Sequence, residues 1–365
     1  MNITLETAAR LLGEYGISSE ITGIGYYSDY SGADGIKLIA RIDVKHRPPL
    51  VLKLLREAAH PHEQIERQCV FSEHLRRNGI PTPERYSKGG EYCLDRVVDG
   101  ERVDVTLEDW CGEELTAIDR DTAAEAGKLM ARIHRISFRD NFKIGAPTLF
   151  GALGRNDVSG LGKFRELYKK AEESRFKSVT YPHPLCTKLA LFGEIIDIFE
   201  QKLANASAVW DRLPRGAVQG DISINNLTWR DGRLTIFDYN NAGDETLIGD
   251  MVLEGLLTAY ESELAEGLTD ADRHSIFLSF LDGYRSICPL THDERIAACE
   301  LYPAYNALWF SRISFCEGRF PDSLEAVMER GDCERADELL SELYGLITAD
   351  ARKIFASELF DKERR

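Results

Sequence analysis

Nearly all the strand-forming sequence of this chain lies in its first third, and the exception is one hairpin set inside a long helical region. From about residue 20 to 55, EITGIGYYS, GIKLIARID and PLVLKLL are rich in β-branched, aromatic and aliphatic residues. The turn-forming stretches DYSGADG and VKHRPP separate them. Runs joined so closely pair as antiparallel neighbours, because a parallel return needs a crossover of a dozen or more residues. A short helix over 4–15 precedes them, with Leu5, Ala8, Leu11 and Leu12 on one stripe before Gly16. A second helix, HEQIERQCVFSEHLRRNG, follows and is stopped by Gly79, Pro81 and Pro83. Two more strand-like pieces, EYCLDRVVDG and ERVDVTLEDW, complete the β-rich part. Past Gly112 the period becomes helical: DTAAEAGKLMARIHRI has small or apolar residues at 126, 129, 130 and 133. Further helices are predicted over 187–207 and most of 247–364. The architecture predicted is α+β and two-lobed, with a small β-rich, antiparallel-sheet lobe at 1–105, a connection at 106–112 and a larger, mainly helical lobe at 113–365. Ligands favour the clefts between such lobes.

The exceptional hairpin lies in AVQGDISINNLTWRDGRLTIFDYNNAGD, residues 217–244. Apolar alternation in LTW and LTIF around an Asp-Gly pair reads as two strands and a tight turn. A hairpin brings its ends together, so Asn226 and Asp238 are predicted to face one small volume. Magnesium takes oxygen ligands from one or two protein groups and completes its octahedron with phosphate oxygens and water. An Asn amide oxygen and an Asp carboxylate meet that demand. Asp221, just before the first strand, is placed to accept a proton from an attacking hydroxyl. The D-x-x-x-x-N spacing with a later Asp is the arrangement of kinase-type phosphoryl transfer. A solvated turn is the alternative, and Lys53 weighs against it. A lysine inside the apolar run PLVLKLL is costly unless its ammonium meets anions or water.

These residues together resemble the aminoglycoside phosphotransferase and choline kinase-like superfamily, which shares the protein-kinase fold. Its catalytic segment usually reads H-G-D-x-x-x-x-N, followed by I-D-x-x-x-x-G-D and a further Asp. Here QGDISINN supplies Gly220, Asp221 and Asn226, and FDYNNAGD supplies Asp238, Gly243 and Asp244. Asp250 matches the later Asp that braces the catalytic loop, and GIPTP at 79–83 and LMARIHRI at 129–136 are further landmarks. Gln219 stands where relatives usually have His, which implies altered loop packing with catalysis retained. The resemblance implies a protein-kinase-like two-lobed fold that moves the γ-phosphate of ATP to a small-molecule hydroxyl, the acceptor being an amino alcohol or an aminoglycoside-type compound. Asp221 would be the catalytic base, Lys53 the nucleotide-phosphate contact, and Asn226 and Asp238 the Mg²⁺ ligands. A carboxylate on the following helix would pair with Lys53; Glu66 is preferred over Glu63 and Glu73. The glycine-rich loop is reduced to Gly23 and Gly25, leaving Ser28 and Ser31 as candidate phosphate contacts. TLEDWCGE at 106–113 matches the inter-lobe hinge, so backbone from Glu108 to Trp110 should bond the purine edge. The Trp110 ring either stacks on the base or caps the helical lobe.

Other features read as structural. His134 lies in an apolar helical stripe and is expected to be a satisfied core histidine rather than a base. The aromatic run at 302–315 has helical spacing and is assigned to core rather than to an acceptor pocket. Glu254, one turn past Asp250, is a candidate to face a cationic acceptor. With 61 acidic against 45 basic residues and a net charge of −16, the chain lacks the basic stripes that nucleic-acid binding needs. Its cysteines form no C-x-x-C pair and read as the reduced thiols of a cytoplasmic protein. No apolar run approaches the roughly 20 residues of a membrane span, and the amphipathic, acid-bearing N-terminus is unlike a secretory leader. A monomer and a homodimer both fit. A protein kinase does not, because Tyr-Asn follows Asp238 and no A-P-E segment follows. The alternative from another class is a catalytically silent nucleotide-binding module. Retention of Lys53, Asp221, Asn226 and Asp238 argues for catalysis.

Overall fold

The computed structural model describes residues 3–32, 35–57, 60–153, 159–176, 184–261, 268–314 and 320–356. Phe315, the end of the predicted C-terminal helix past 356 and the Ser31 side chain lie outside the described residues. Helix α1 (Leu5–Glu14) leads into strands β1 (Ile21–Gly32), β2 (Gly35–Val44) and β3 (Leu50–Glu57). Helix α2 (His62–Arg77) then precedes β4 (Leu94–Val98) and β5 (Glu101–Asp109). The strands form one antiparallel sheet in the order β1-β2-β3-β5-β4. This is the predicted β-rich part, with one difference. Thr106 to Asp109, expected in the connection, pair with Lys53 to Leu50 as part of β5.

Side-chain alternation gives the sheet two faces. Ile36, Leu38, Ala40 and Ile42 of β2, Leu50, Leu52 and Leu54 of β3, and Val103, Val105 and Leu107 of β5 form one core with Ala8, Leu11 and Leu12 of α1. The Tyr15 hydroxyl locks α1 down by donating to the Val105 carbonyl at 2.7 Å. With those positions buried against α1, the alternate set points the other way: Lys37 and Ile39, Val51 and Lys53, Thr106 and Glu108. The period of the strands therefore puts two lysines and a glutamate on the face turned from α1.

The remainder is helical: α3 (Arg120–Arg139), α4 (Leu161–Phe176), α5 (Leu189–Ser207), α6 (Leu247–Glu261), α7 (Asp270–Arg285), α8 (His292–Ala307), α9 (Phe310–Ile313), α10 (Leu324–Glu329), α11 (Cys333–Ile347) and α12 (Arg352–Phe355). The Asp119 carboxylate caps α3 by accepting from Thr122 N at 2.7 Å. Helix α3 presses so closely on α7 that a Cβ at Gly127 would lie 2.0 Å from the Phe280 carbonyl oxygen. Between α5 and α6 run four short strands, β6 (Arg215–Val218), β7 (Leu227–Arg230), β8 (Arg233–Ile236) and β9 (Gly243–Thr246). Strands β7 and β8 are the predicted hairpin, turned at Asp231 and Gly232 with φ of 51° and 72°. Strand β6 pairs antiparallel with β9, so the loops before and after the hairpin leave from one edge. No described helix is long and apolar enough to cross a membrane.

Candidate active site

The two loops flanking the hairpin are stitched together by their own side chains. Phe237 N donates to the Asn226 carbonyl at 3.0 Å, and the Asn226 amide nitrogen donates to the Asp221 carbonyl at 2.9 Å. Gln219, 1% exposed, spans the pair. Its Oε1 accepts from Asp221 N at 2.8 Å, while its Nε2 donates to the Asp238 carbonyl at 2.8 Å. Gly220 makes the turn possible at φ 75°, and a Cβ there would stand 2.2 Å from Thr148 Oγ1. Asn241 Nδ2 holds Asp221 Oδ2 at 2.8 Å. Burial pushes the Asp221 carboxyl above its ordinary pKa, and the Asn241 bond offsets part of that rise.

Asp238 adopts φ 55°, in the left-handed region that side chains rarely enter. Its Oδ1 lies 3.3 Å from Lys53 Nζ, and Lys53 is 3.2 Å from Glu108 Oε1 on the neighbouring strand. Glu108 Oε2 in turn meets Arg85 Nη2 at 2.8 Å. Lys53, Glu108 and Arg85 are all buried. Burial alone would favour a neutral Lys53, but Asp238 and Glu108 outweigh it and keep the ammonium charged. Burial likewise works against ionised Asp238, yet Lys53 and then Lys37 hold its carboxyl below the ordinary range.

Two cavities meet at these groups. The first, of about 410 Å³, lies against the sheet and is lined by Ser28, Lys37, Lys53, Glu108, Trp110 and Asp238 among others. The second, of about 660 Å³, lies on the helical side with Asp221, Asn240, Asn241, Leu253, Trp309 and Phe310 in its wall. Lys37, Asn225, Asn226 and Asp238 line both. Asn226 and Asp238 suit a hard divalent ion. Asn226 spends its amide nitrogen on Asp221, which leaves Oδ1 as its oxygen donor, and the neighbouring cations keep Asp238 ionised.

No protein-family model matches the sequence. A homoserine kinase from Polaromonas naphthalenivorans (strain CJ2) is 26% identical over 254 residues, covering 69% of this chain and 71% of that protein. Among solved structures, the amicoumacin kinase hAmiN in complex with AMP-PNP, Ca²⁺ and Ami aligns with a TM-score of 0.55 at 11% identity, over 86% of this chain and 88% of that one. A microcompartment-associated aminopropanol kinase aligns at 0.54 and 17% identity, over 94% and 95% of the two chains. A spectinomycin phosphotransferase bound to ADP and spectinomycin gives 0.52 and 13%, over 95% and 99%. These likenesses show a fold that the chain shares with small-molecule kinases.

On that fold, several expected placements change. Glu66 does not meet Lys53: its Oε2 accepts from Tyr92 N at 2.9 Å and Cys93 N at 2.7 Å, anchoring the segment before β4. Glu73 is held by Arg76 and Arg77 on its own helix. Besides Asp238, the carboxylate that meets Lys53 is Glu108, assigned from sequence as backbone of the hinge. Its strand position makes it a cross-strand neighbour of the lysine. Hinge backbone is also partly committed, since Asp109 N donates to the Glu84 carbonyl and Trp110 N to the Pro49 carbonyl. Cys111 to Glu114, outside any strand, line the cavity next. The Trp110 ring faces that cavity with the Arg41 guanidinium 4.2 Å above it. Ser28 lines it from β1.

The Asp250 carboxylate is engaged by α3 and not, among the described hydrogen bonds, by the 219–226 loop. Its Oδ2 lies 2.9 Å from His134 Nε2, and His134 Nδ1 is 2.9 Å from the Tyr284 hydroxyl, so His134 is a satisfied core residue. The loop is braced by Glu254, whose buried carboxylate accepts from Ile222 N. Asp244 ties β9 to the segment after α3 by accepting from Ile144 N and Gly145 N, both at 2.9 Å. In the aromatic run Tyr302, Tyr305 and Trp309 are core as expected, and Trp309 and Phe310 also line the larger cavity. Sequence reasoning passed over Lys37 and Arg85. The signal for Lys37 was the same as for Lys53, a lysine within an apolar strand.

Proposed function

We propose that the chain transfers the γ-phosphate of ATP to a hydroxyl of a small molecule bound on the helical side. The observation that carries this is the meeting of two cavities at one carboxylate-amide cluster, with a buried lysine on the sheet side and a cavity-facing aspartate on the other. In this reading the N-terminal lobe holds the nucleotide, the segment around Trp110 to Glu114 follows the base, and the helical lobe shapes the acceptor pocket. Lys53 and Lys37 bind nucleotide phosphates, with Ser28 beside them. Asn226 Oδ1 and Asp238 would hold Mg²⁺, which supplies positive charge to the phosphate oxygens when bound. Asp221 accepts the acceptor's hydroxyl proton. Its Oδ2 is fixed by Asn241, and its raised pKa suits a group that must take up a proton as the bond forms. Catalysis comes chiefly from alignment and charge, because phosphoryl transfer asks little covalent chemistry of the protein.

For the acceptor, an amino alcohol is the first class to test. The pocket combines the amides of Asn225, Asn240 and Asn241 with the rings of Trp309 and Phe310, and aromatic faces attract ammonium groups. The decisive experiment is a coupled ADP-release assay with Mg-ATP against amino alcohols, aminoglycosides and sugars, with Asp221→Asn as the blank. Acceptor-dependent release that disappears in the blank supports the proposal. Mg-ATP binding with no acceptor-dependent release across the panel would favour a silent nucleotide-binding module, and absence of Mg-ATP binding would overturn both.

A further inference from the structure

Among residues that line neither cavity, three donors of unlike chemistry converge from three separate segments. His62 opens α2, Cys93 precedes β4 and Asp104 sits on β5. His62 Nδ1 lies 2.5 Å from Asp104 Oδ1 and 3.5 Å from Cys93 Sγ. One ligand atom from each residue falls within 4.8 Å of the others. An imidazole, a thiol and a carboxylate at this spacing are the donor types of a zinc site with three protein ligands and one open position. The cluster is graded in access: the His62 side chain is 45% exposed, that of Asp104 17%, and Cys93 is 1% exposed. An ion can therefore enter past His62 and meet the thiol at the bottom. The Cys93 backbone is held in place by Glu66, which accepts from both Tyr92 N and Cys93 N.

We propose that His62, Cys93 and Asp104 form a zinc-binding site independent of the phosphoryl-transfer centre. On binding, Cys93 gives its thiol proton to solvent and ligates as thiolate, His62 ligates as neutral imidazole through Nδ1, and Asp104 completes the protein set. The His62–Asp104 contact alone would be an ordinary ion pair; the buried sulfur added to it selects a thiophilic ion over magnesium. The site clamps the start of α2 to the sheet. Six residues on, the same helix reaches the catalytic loops, where Gln68 Nε2 donates to the carbonyls of Asn240 at 2.7 Å and Ala242 at 2.9 Å. Zinc at one end of α2 thus stiffens the helix that supports the loop after Asp238.

The test uses the untagged full chain, stripped with chelator and reconstituted with zinc or cobalt before gel filtration. The expected result is about one zinc per chain, together with thiolate-to-cobalt charge-transfer absorption in the cobalt form. Cys93→Ser should abolish that band, and His62→Ala, at an exposed position, should weaken zinc affinity by at least ~10-fold. Melting of each variant in chelator shows whether it is folded, and the cobalt spectrum of the parent decides the matter even if Cys93→Ser is not. Substoichiometric zinc in the parent, no charge-transfer band, or equal zinc retention in folded variants would overturn the site.

Discussion

Glu108 stands between two buried cations, Lys53 at 3.2 Å and Arg85 at 2.8 Å, with all three side chains 4% exposed or less. Glu108→Gln keeps the shape and one acceptor oxygen but removes the charge. Lys53 still has Asp238 at 3.3 Å. Arg85 keeps a contact of 3.4 Å to Cys69 Sγ, a weak acceptor that cannot balance a guanidinium. Breaking a buried ion pair by deleting one partner costs about 3–5 kcal/mol, because the remaining charge stays out of water. Glu108→Gln should lose that much stability, roughly 6–20 °C in Tm. Glu66→Gln should lose about 1 kcal/mol, since an amide oxygen can still accept from Tyr92 and Cys93. The assay is thermal and urea unfolding followed by tryptophan fluorescence, with Arg85→Met and the Arg85→Met, Glu108→Gln double variant closing a cycle. Neutralising both members should recover part of the loss, giving a coupling of at least ~1 kcal/mol. Additive single losses, or a Glu66→Gln penalty equal to that of Glu108→Gln, would refute the triad as the electrostatic support of Lys53.

Three further outcomes are expected of the cleft. Gln219→Leu strands the Asp221 N–H and the Asp238 carbonyl, which should cost about 2–4 kcal/mol of stability and lower kcat more than it raises the KM for ATP. An unchanged kcat would show that the two loops hold their alignment without it. Lys37→Met should reduce kcat/KM for Mg-ATP roughly 10- to 100-fold with little change in Tm, as the side chain is only half-buried; parental kinetics would remove Lys37 from the phosphate site. As the proposed base Asp221 would act deprotonated, and burial raises its pKa, so kcat/KM should fall as the pH drops through a value above the ordinary carboxylate range. Asn241→Ala deletes a bond that favours the ionised form and should move that acid limb to higher pH, which pH profiles of the two proteins will show.

Local sequence carries the hairpin well, because an Asp-Gly pair between short alternating runs has few other solutions. The closeness of Asn226 to Asp238 follows from chain connectivity alone. The partner of Lys53 does not. Helical spacing narrowed the choice to three glutamates on α2, but which carboxylate reaches a lysine on β3 depends on strand register and sheet order. In the sequence Glu108 is 55 residues from Lys53; in the sheet it is a neighbouring-strand residue on the same face. The bracing role expected of Asp250 falls to Glu254 for a similar reason. Both lie on one face of α6, and only the packing of that helix against α3 and the catalytic loop shows that one meets His134 and the other Ile222 N.

By itself, then, the sequence determines the order and type of the elements, the separation of a β-rich part from a helical part, and the cluster Asp221, Asn226 and Asp238, whose members lie within one hairpin's reach. These rest on interactions between residues close along the chain, where periodicity and turn chemistry act. The tertiary structure decides the electrostatic network around Lys53, the bridging role of Gln219, the use of Lys37 at both cavities and the convergence of His62, Cys93 and Asp104. Those contacts join residues from different elements, and their energies depend on burial and on which faces meet. Neither quantity exists until the chain has folded.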